Sequence, residues 1–301
     1  MRARRRAGML TGMTVAIVGT RANRTSVRLA AEWRSLGIAA RLVDAAAART
    51  LLEAGDLALG RLDVRASLDG VEPGLLDLLR LESSGVPVRN RAFALVAVHD
   101  KLLMARRLRA AGIPHPRTAV VRSAEDPLPL PAPLVLKPRF GSWGRDIFRC
   151  DRERDARHVL RAVSERPWFR RHGAVVQELV PSRYRDLRVV VAGGRVIGAI
   201  HRTAAPGEWR TNISLGGTRT PVVPDAAARV LAVSAAAALG GDLVGVDLLP
   251  LATGGHVVVE LNGAVDFDEH YSLPGRDVFR DAAAGLMLEP ATTLALAGSS
   301  P

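Results

Sequence analysis

Cysteine is almost absent from this chain of 301 residues, where Cys150 stands alone. A single thiol cannot close an internal disulfide and offers no metal-ligand spacing, so a disulfide scaffold and a thiolate metal centre are both excluded. A reducing, cytoplasmic setting fits that usage. No run reaches the roughly 18 to 20 uninterrupted apolar residues of a spanning helix, which excludes an embedded protein and a membrane partner. Lysine is nearly as scarce: of 42 basic residues only Lys101 and Lys137 are lysine. Aromatic residues make up 4% of the chain and the net charge is +12. No dense basic run interleaved with aromatics follows the first six residues, which argues for charge spread over solvated faces and against nucleic acid.

In a chain that writes arginine almost everywhere, the two lysines stand out. A compact ammonium grips differently from a planar guanidinium fork. The opening Met1 to Arg6 and the apolar stretch up to Gly19 look superficially like a secretory leader. Gly8, Thr11, Gly12 and Thr14 break that stretch and no cleavage site follows before Arg21, so a disordered extension over 1–12 and a start at Met13 are expected.

Thr14 to Gly19 is a short β-branched run ending in glycine, and a helical pattern follows from Ser26 to Leu36. Ala39 to Val43 and Leu57 to Arg61 read as further strands, and Pro73 to Ser84 as a helix. Alternating strands and helices imply a small parallel sheet. Lys101 to Ala111 is helical and stops at Gly112-Ile113-Pro114. Four prolines between Ser123 and Pro133 make a stiff connector. Beyond it, strands at Leu134–Lys137 and Val175–Val180 flank a helix over Arg152–Glu165. Leu187–Ala192 and Arg195–His201 form a hairpin through Gly193-Gly194. An Ala-rich helix over Asp225–Leu239 precedes a last hairpin of Val244–Leu249 and His256–Leu261.

That last hairpin carries the most chemistry. With a loop at Ala252–Gly255, position 251 faces 256, 249 faces 258 and Asp247 faces Glu260. The period of two puts Asn262 on the face of Glu260, so three oxygen-bearing groups converge in apolar strands. Two opposed carboxylates there call for a compensating cation, and oxygen donors suit Mg²⁺. The alternative is a register that exposes both acids to solvent. A second group is Lys137-Pro138-Arg139-Phe140-Gly141-Ser142-Trp143-Gly144-Arg145. Its glycines let backbone N–H groups approach an anion while the lysine supplies charge, although an ordinary hairpin would look similar. The Gly-Lys-Ser/Thr ending of a P-loop is missing.

In this order and spacing, Lys101, Lys137 with its glycine turn, Gln177-Glu178-Leu179-Val180 and Asp247-x12-Glu260-x-Asn262 resemble the ATP-grasp superfamily. The stretches Leu136–Gly144, Asp186–Val191 and Trp209-Arg210-Thr211-Asn212 with Gly216-Gly217 resemble its RimK/LysX branch, and the likeness runs from Met13 to about Met287. It implies an α/β (α+β) ATP-grasp fold: a Rossmann-like N-terminal lobe (13–95), a small central lobe (96–176), a C-terminal antiparallel-sheet lobe with the metal site (177–290), and a flexible tail (291–301).

The resemblance implies an ATP-dependent carboxylate–amine ligase that works through an acyl phosphate. Lys101, Lys137 and the flap residues Gly141, Ser142, Trp143 and Gly144 would contact nucleotide and phosphates. The backbone of Gln177, Glu178 and Leu179 would meet adenine, and Asp186 the ribose. Asp247, Glu260 and Asn262 would hold Mg²⁺, or Mn²⁺ in its place. Thr211 and Asn212 would lie beside the triphosphate with the catalytic Arg210. Arg188 and Arg202 would face the transferred group or substrate carboxylate. Phosphoryl transfer needs positioning and charge neutralisation, so no protein nucleophile is required.

The likeness departs after Asn262, where Gly263 to Tyr271 borders the acceptor site. Asp266, Asp268 and Glu269 there suit either an amine or plain solvation. The implied partners are an amino acid, with glutamate as the leading candidate, and a small molecule, acidic peptide, protein C-terminus or carrier protein; homo-oligomers are common in the family. Two other readings stay open: a non-catalytic ATP-binding regulator or scaffold, and, on charge alone, an RNA-binding protein. Among other residues, Asp100 reads as a helix cap rather than a partner for His99. His201 reads as structural, Cys150 as a small buried residue, and Trp143 and Trp209 as flap or core.

Overall fold

The computed structural model describes residues 12–182 and 184–288. The expected extension, apart from Gly12, and the expected tail lie outside the described residues.

The first lobe is built from β1 (Thr14–Val18), α1 (Arg24–Ser35), β2 (Ala39–Val43), α2 (Ala45–Leu51), β3 (Leu57–Gly60), α3 (Leu75–Ser83) and β4 (Val88–Arg89). The strands form one parallel sheet in the order β2-β1-β3-β4. Parallel pairing requires a crossover between neighbours, and helices supply it. Asn23 caps α1 by accepting from the Ser26 N–H at 2.8 Å, and α1 buries Leu29, Ala30 and Trp33. Gly74, with φ of 122°, starts α3. Its left-handed backbone lets the chain turn against Ala45, whose Cβ would lie 2.7 Å from any added Cβ.

Two helices follow, α4 (Ala92–His99) and α5 (Lys101–Ala110). The central lobe then runs through β5 (Thr118–Val121), β6 (Leu134–Pro138), β7 (Phe148–Cys150), α6 (Glu153–Val163), α7 (Pro167–His172) and β8 (Ala174–Glu178). Its strands form an antiparallel sheet in the order β5-β8-β6-β7. The proline-rich stretch is an irregular link between β5 and β6, as ring-locked backbone without N–H donors dictates.

The last lobe contains β9 (Arg185–Ala192), β10 (Arg195–Thr203), β11 (Thr218–Pro221), α8 (Ala226–Leu239), β12 (Leu243–Pro250), β13 (His256–Asn262) and α9 (Val278–Leu286). Five strands make one antiparallel sheet, β11-β10-β9-β12-β13. Side chains alternate across it. Leu187, Val189 and Val191 share a core with the alanine face of α8 and with Ala97, Val98, Met104 and Leu108 of α4 and α5. Val190 and Ala192 turn the other way, toward α9 and the first lobe. The expected lobe boundaries at 95/96 and 176/177 therefore each fall inside an element, α4 and β8.

The lobes are tied by specific contacts. Trp33, fully buried, donates its indole N–H to the Ala283 carbonyl of α9 at 3.2 Å. Asn90, at φ of 49°, fills its side-chain capacity with backbone of the last lobe. Its Nδ2 donates to the Leu243 and Gly263 carbonyls, and its Oδ1 accepts from the Asp242 and Leu243 N–H groups. Among the described residues, no helix is long and apolar enough to cross a membrane.

Candidate active site

A cleft of about 530 Å³ opens between the central sheet and the last lobe, within the size range of ligand pockets. One wall comes from the face of the five-stranded sheet that carries its charged residues. Asp186 and Arg188 are two apart on β9. Arg202 of β10 pairs with Asp186, and Asp247 of β12 pairs with Arg188. Glu260 of β13 pairs with Asp247. Strand alternation puts all five side chains on one face.

The carboxylate pair is where the sequence places it, but the hairpin reaches it differently. The loop is one residue longer than expected, so Pro250 faces His256 and Leu249 faces Val257. A bulge between Asp247/Glu260 and Leu248/Val258 inserts Val259 and restores the pairing of the acids. The expected partners 251 with 256 and 249 with 258 are thus corrected. The two glycines at the loop end, Gly254 and Gly255, carry φ of 90° and 76°, which the tight return requires.

Both acids are compensated by protein cations. Asp247 accepts from Arg188 Nε and Nη2, each at 2.7 Å, and from Arg202 Nη2 at 2.8 Å. Burial by itself would raise its pKa, yet Arg188 and then Arg202 hold the carboxyl well below the usual range. Arg202 also forks onto Asp186 at 2.9 and 2.5 Å, and Thr211 donates its hydroxyl to Asp186 at 2.5 Å. Glu260 accepts from Lys101 Nζ at 3.0 Å, and the same ammonium donates to the Gly141 carbonyl at 2.8 Å. Bidentate arginine pairs of this kind are short and geometrically specific.

Lys137 reaches the cleft from the opposite lobe, at the end of β6. It is buried, and its Nζ donates to Gln177 Oε1 at 2.7 Å rather than to a carboxylate. Burial pushes this ammonium down to about 8, because desolvation penalises the charged form.

The glycine turn lies over the cleft and is docked on the loop between β10 and β11. Arg210 Nη1 donates to the Gly144 carbonyl at 2.8 Å, and Ser214 Oγ donates to the Trp143 carbonyl at 3.3 Å. Gly144 has φ of 71°, and a Cβ there would meet Asn212 Oδ1 at 2.8 Å. Arg210 is itself gripped by Glu208, whose carboxyl that hydrogen-bonded pairing brings down to about 2.

Of the residues anticipated from sequence, Lys137, Gly141, Ser142, Trp143, Gly144, Gln177, Glu178, Leu179, Asp186, Arg188, Arg202, Arg210, Thr211, Asn212, Asp247, Glu260 and Asn262 all line this one cleft. Lys101 does not; it sits behind Glu260 and Gly141, buried. Asp186 lines the cleft, but with its oxygens engaged by Arg202 and Thr211. The Leu179 N–H bonds the Pro133 carbonyl at 3.3 Å and the Glu178 N–H the Arg117 carbonyl at 2.9 Å. In the loop after Asn262, Asp266 pairs with Arg61, Asp268 with Arg219 and Glu269 with Arg24. Of these acids only Asp268 is enclosed, while Asp266 and Glu269 stay partly exposed beside their arginines.

Asp100 caps α5, accepting from the Leu102 and Leu103 N–H groups, and also takes a fork from Arg139. His201 bonds the Asp186 carbonyl at 3.3 Å. Cys150 is fully buried, and Trp143 and Trp209 both line the cleft. Sequence reasoning missed Glu208, Tyr184, His115 and Thr118. The last two touch the side chain of Gln177. One signal pointed there: Gln177 is the only glutamine in the chain.

The donor set can be tested for a divalent cation. Among the described residues no cluster of three or more His, Cys, Asp and Glu forms, so a metal would rest on two carboxylates and an amide. Asp247 Oδ1 takes one hydrogen bond, Asn262 Oδ1 accepts one from the Ala264 N–H, and Lys101 engages Glu260 at Oε1. Lone pairs thus remain on all three side chains, and the oxygen-only set fits Mg²⁺.

A RimK-like ATP-grasp domain matches residues 98–280. The glutamate–LysW ligase ArgX of Sulfurisphaera tokodaii is 31% identical over 217 residues, covering 70% of this chain and 76% of that protein. A tetrahydromethanopterin:alpha-L-glutamate ligase of Methanosarcina acetivorans is 33% identical over 217 residues, covering 66% of this chain and 67% of its own. The ATP-grasp ligase PsnB, solved with a minimal precursor, Mg and ADP, shares the fold with a TM-score of 0.63 at 18% identity, covering 90% of this chain and 96% of its own. Sequence and fold agree with the cleft, and the chain belongs to the RimK-like ATP-grasp family of ATP-dependent carboxylate–amine ligases.

Proposed function

We propose that this ligase joins glutamate to a partner through an amide bond, with ATP bound in the cleft between the central and last lobes. The carrying observation is that Lys137 from one lobe and Asp247, Glu260 and Asn262 from the other line the same cavity. Glutamate is named because the two curated relatives above both act on it by name. The net charge of +12 favours an acidic partner such as a carrier protein or peptide terminus. The single free thiol keeps the cytoplasm as the expected compartment.

In this reading a carboxylate oxygen attacks the γ-phosphorus, and the bond to the β-phosphate oxygen breaks to release ADP. The amine nitrogen then attacks the acyl carbon, the bond to the phosphate oxygen breaks, and the nitrogen gives up a proton. Asp247, Glu260 and Asn262 would hold Mg²⁺, which when bound neutralises charge on the phosphates. Lys137 supplies a cation from the other wall. Arg188 and Arg202 are held rigid by Asp247 and Asp186, so their charge sits in a fixed place on the cleft wall, which is what preorganised charge stabilisation requires. The docked glycine turn excludes water, whose attack on the acyl phosphate would waste ATP.

The test is ADP release with Mg²⁺-ATP across amino acids paired with peptide, carrier and small-molecule partners, with Glu260→Ala alongside and products weighed by mass spectrometry. Release that requires both substrates, gives a condensed product and vanishes in the variant is expected. ATP binding without release from any pair would favour a non-catalytic role, and absence of ATP binding would end the reading.

A further inference from the structure

The chain contains one glutamine and two lysines, and the glutamine holds one of those lysines. Gln177 Oε1 accepts from Lys137 Nζ at 2.7 Å, and both residues are buried. An amide can present either end to a neighbour, so its orientation has to be fixed by what surrounds the other end. Here that end is the nitrogen, which lies 2.9 Å from Thr118 Oγ1 and 3.3 Å from His115 Nε2.

Each of these atoms is an acceptor for a traceable reason. His115 Nδ1 lies 2.8 Å from the Val258 carbonyl. A carbonyl can only accept, so the ring proton is on Nδ1. Burial brings the imidazole down to about 4, which leaves Nε2 bare at neutral pH. The Thr118 hydroxyl has two acceptors for its one proton, the Pro116 carbonyl at 2.8 Å and His115 Nε2 at 3.3 Å, and with either one its oxygen keeps lone pairs for Gln177. Turning the amide over would set its oxygen against the bare His115 Nε2, draw the Thr118 hydroxyl off its own acceptors, and set the N–H₂ against the Lys137 ammonium. Both ends would then be mismatched inside a buried site, where unmet polar groups are costly.

We propose that His115 and Thr118 are positioning residues: they lock the Gln177 amide so that its carbonyl oxygen, and never its nitrogen, holds Lys137 on the cleft wall. This rests on the nucleotide reading of the cleft, and it assigns the selection of a phosphorylated nucleotide over the bare nucleoside to a chain of neutral side chains. His115 is anchored to β13, two residues from Glu260, so the lock also ties the lysine of one lobe to the acidic strand of the other.

The experiment compares ADP and adenosine binding by calorimetry in the native protein, His115→Phe, Thr118→Val and His115→Gln, with thermal unfolding as a check on folding. Losing an orienting bond behind a charged group should weaken ADP about tenfold in His115→Phe and Thr118→Val, with adenosine little changed. His115→Gln, which keeps an acceptor, should restore most of the loss. Because the chain has a single glutamine, ¹⁵N-glutamine labelling gives one side-chain amide pair in the free protein without assignment. That pair should shift in His115→Phe and Thr118→Val; His115→Gln adds a second glutamine and is read by the binding measurement alone. Equal losses for ADP and adenosine, or unmoved amide signals, would overturn the proposal. Thr118→Val is nearly isosteric and decides the matter should His115→Phe fail to fold. If the native protein binds no ADP, the nucleotide reading fails, and the amide signals still decide whether the lock exists.

Discussion

Asp247 and Glu260 face each other across β12 and β13, yet they share no counter-ion. Asp247 is held by Arg188 and Arg202, and Glu260 by Lys101. The separation is spatial. Arg188 and Arg202 come from β9 and β10 on one side, while Lys101 comes from the start of α5 beneath the glycine turn. The opposed acids are therefore stable as a pair, and their unused lone pairs face a common space.

Glu260→Gln tests that arrangement. It removes one carboxylate from the pair and leaves Lys101 without its charge partner. Turnover measured as ADP release should fall by roughly a hundredfold or more, the scale for losing one preorganised charge contact at a reacting centre. Near-native turnover would show that Glu260 serves only to anchor Lys101.

Lys137 gives a pH signature. Its pKa falls from the ordinary lysine value to about 8 through burial. The folded protein thus releases a proton that the unfolded chain keeps until about pH 10.5. Below pH 8 the full cost of the buried ammonium is present, and that cost is relieved as pH rises through this window. In the proposed function this ammonium is the group that would meet phosphate, and it is lost over the same range. ADP affinity, followed by calorimetry from neutral to alkaline pH, should weaken as pH passes about 8, and Lys137→Met should show a flat profile.

Gly144→Ala probes the cover of the cleft. The substitution places a Cβ against Asn212 Oδ1 at a positive φ, which strains the turn by about 1 to 2 kcal/mol. The global unfolding midpoint should change little, because the turn is at the surface of the central lobe. ATP hydrolysis in the absence of an acceptor should rise relative to ligation as water gains entry. An unchanged ratio of hydrolysis to ligation would separate the turn from water exclusion.

Asn90→Ala tests the staple between the first and last lobes. It deletes the side-chain bonds to Leu243, Gly263 and Asp242 and leaves buried backbone groups unpaired. A loss of about 3 kcal/mol in denaturant unfolding is expected. A loss well under 1 kcal/mol would mean that water replaces the amide without cost.

Much of the fold was legible along the chain. The strand at Ala39–Val43 was bounded correctly, and helices near Ser26–Leu36, Pro73–Ser84 and Asp225–Leu239 lie within two residues of their observed ends. Apolar periodicity and glycine stops are local signals, and those elements carry them. Helix α4 escaped because Ala92–His99 is apolar on nearly every side, down to an exposed Phe93, so no amphipathic stripe marks it. β7 and β11 are too short to show a period.

The sequence by itself determined the cast of the site: two lysines among forty arginines, a glycine turn, and two acids spaced to meet across a hairpin. Their order and spacing are enough to identify the family, because those features are local or depend only on strand periodicity. Tertiary structure alone decided the partnerships. Whether Asp247 meets Arg188 or Arg202 depends on how β9, β10 and β12 pair, and the acids meet only through a bulge at Val259 that no residue announces. Lys101 is placed behind the acids, and Gln177 between His115 and Lys137, only once separate lobes close on one another. Charge pairing is a property of distance in space, and sequence fixes that distance only within a single element.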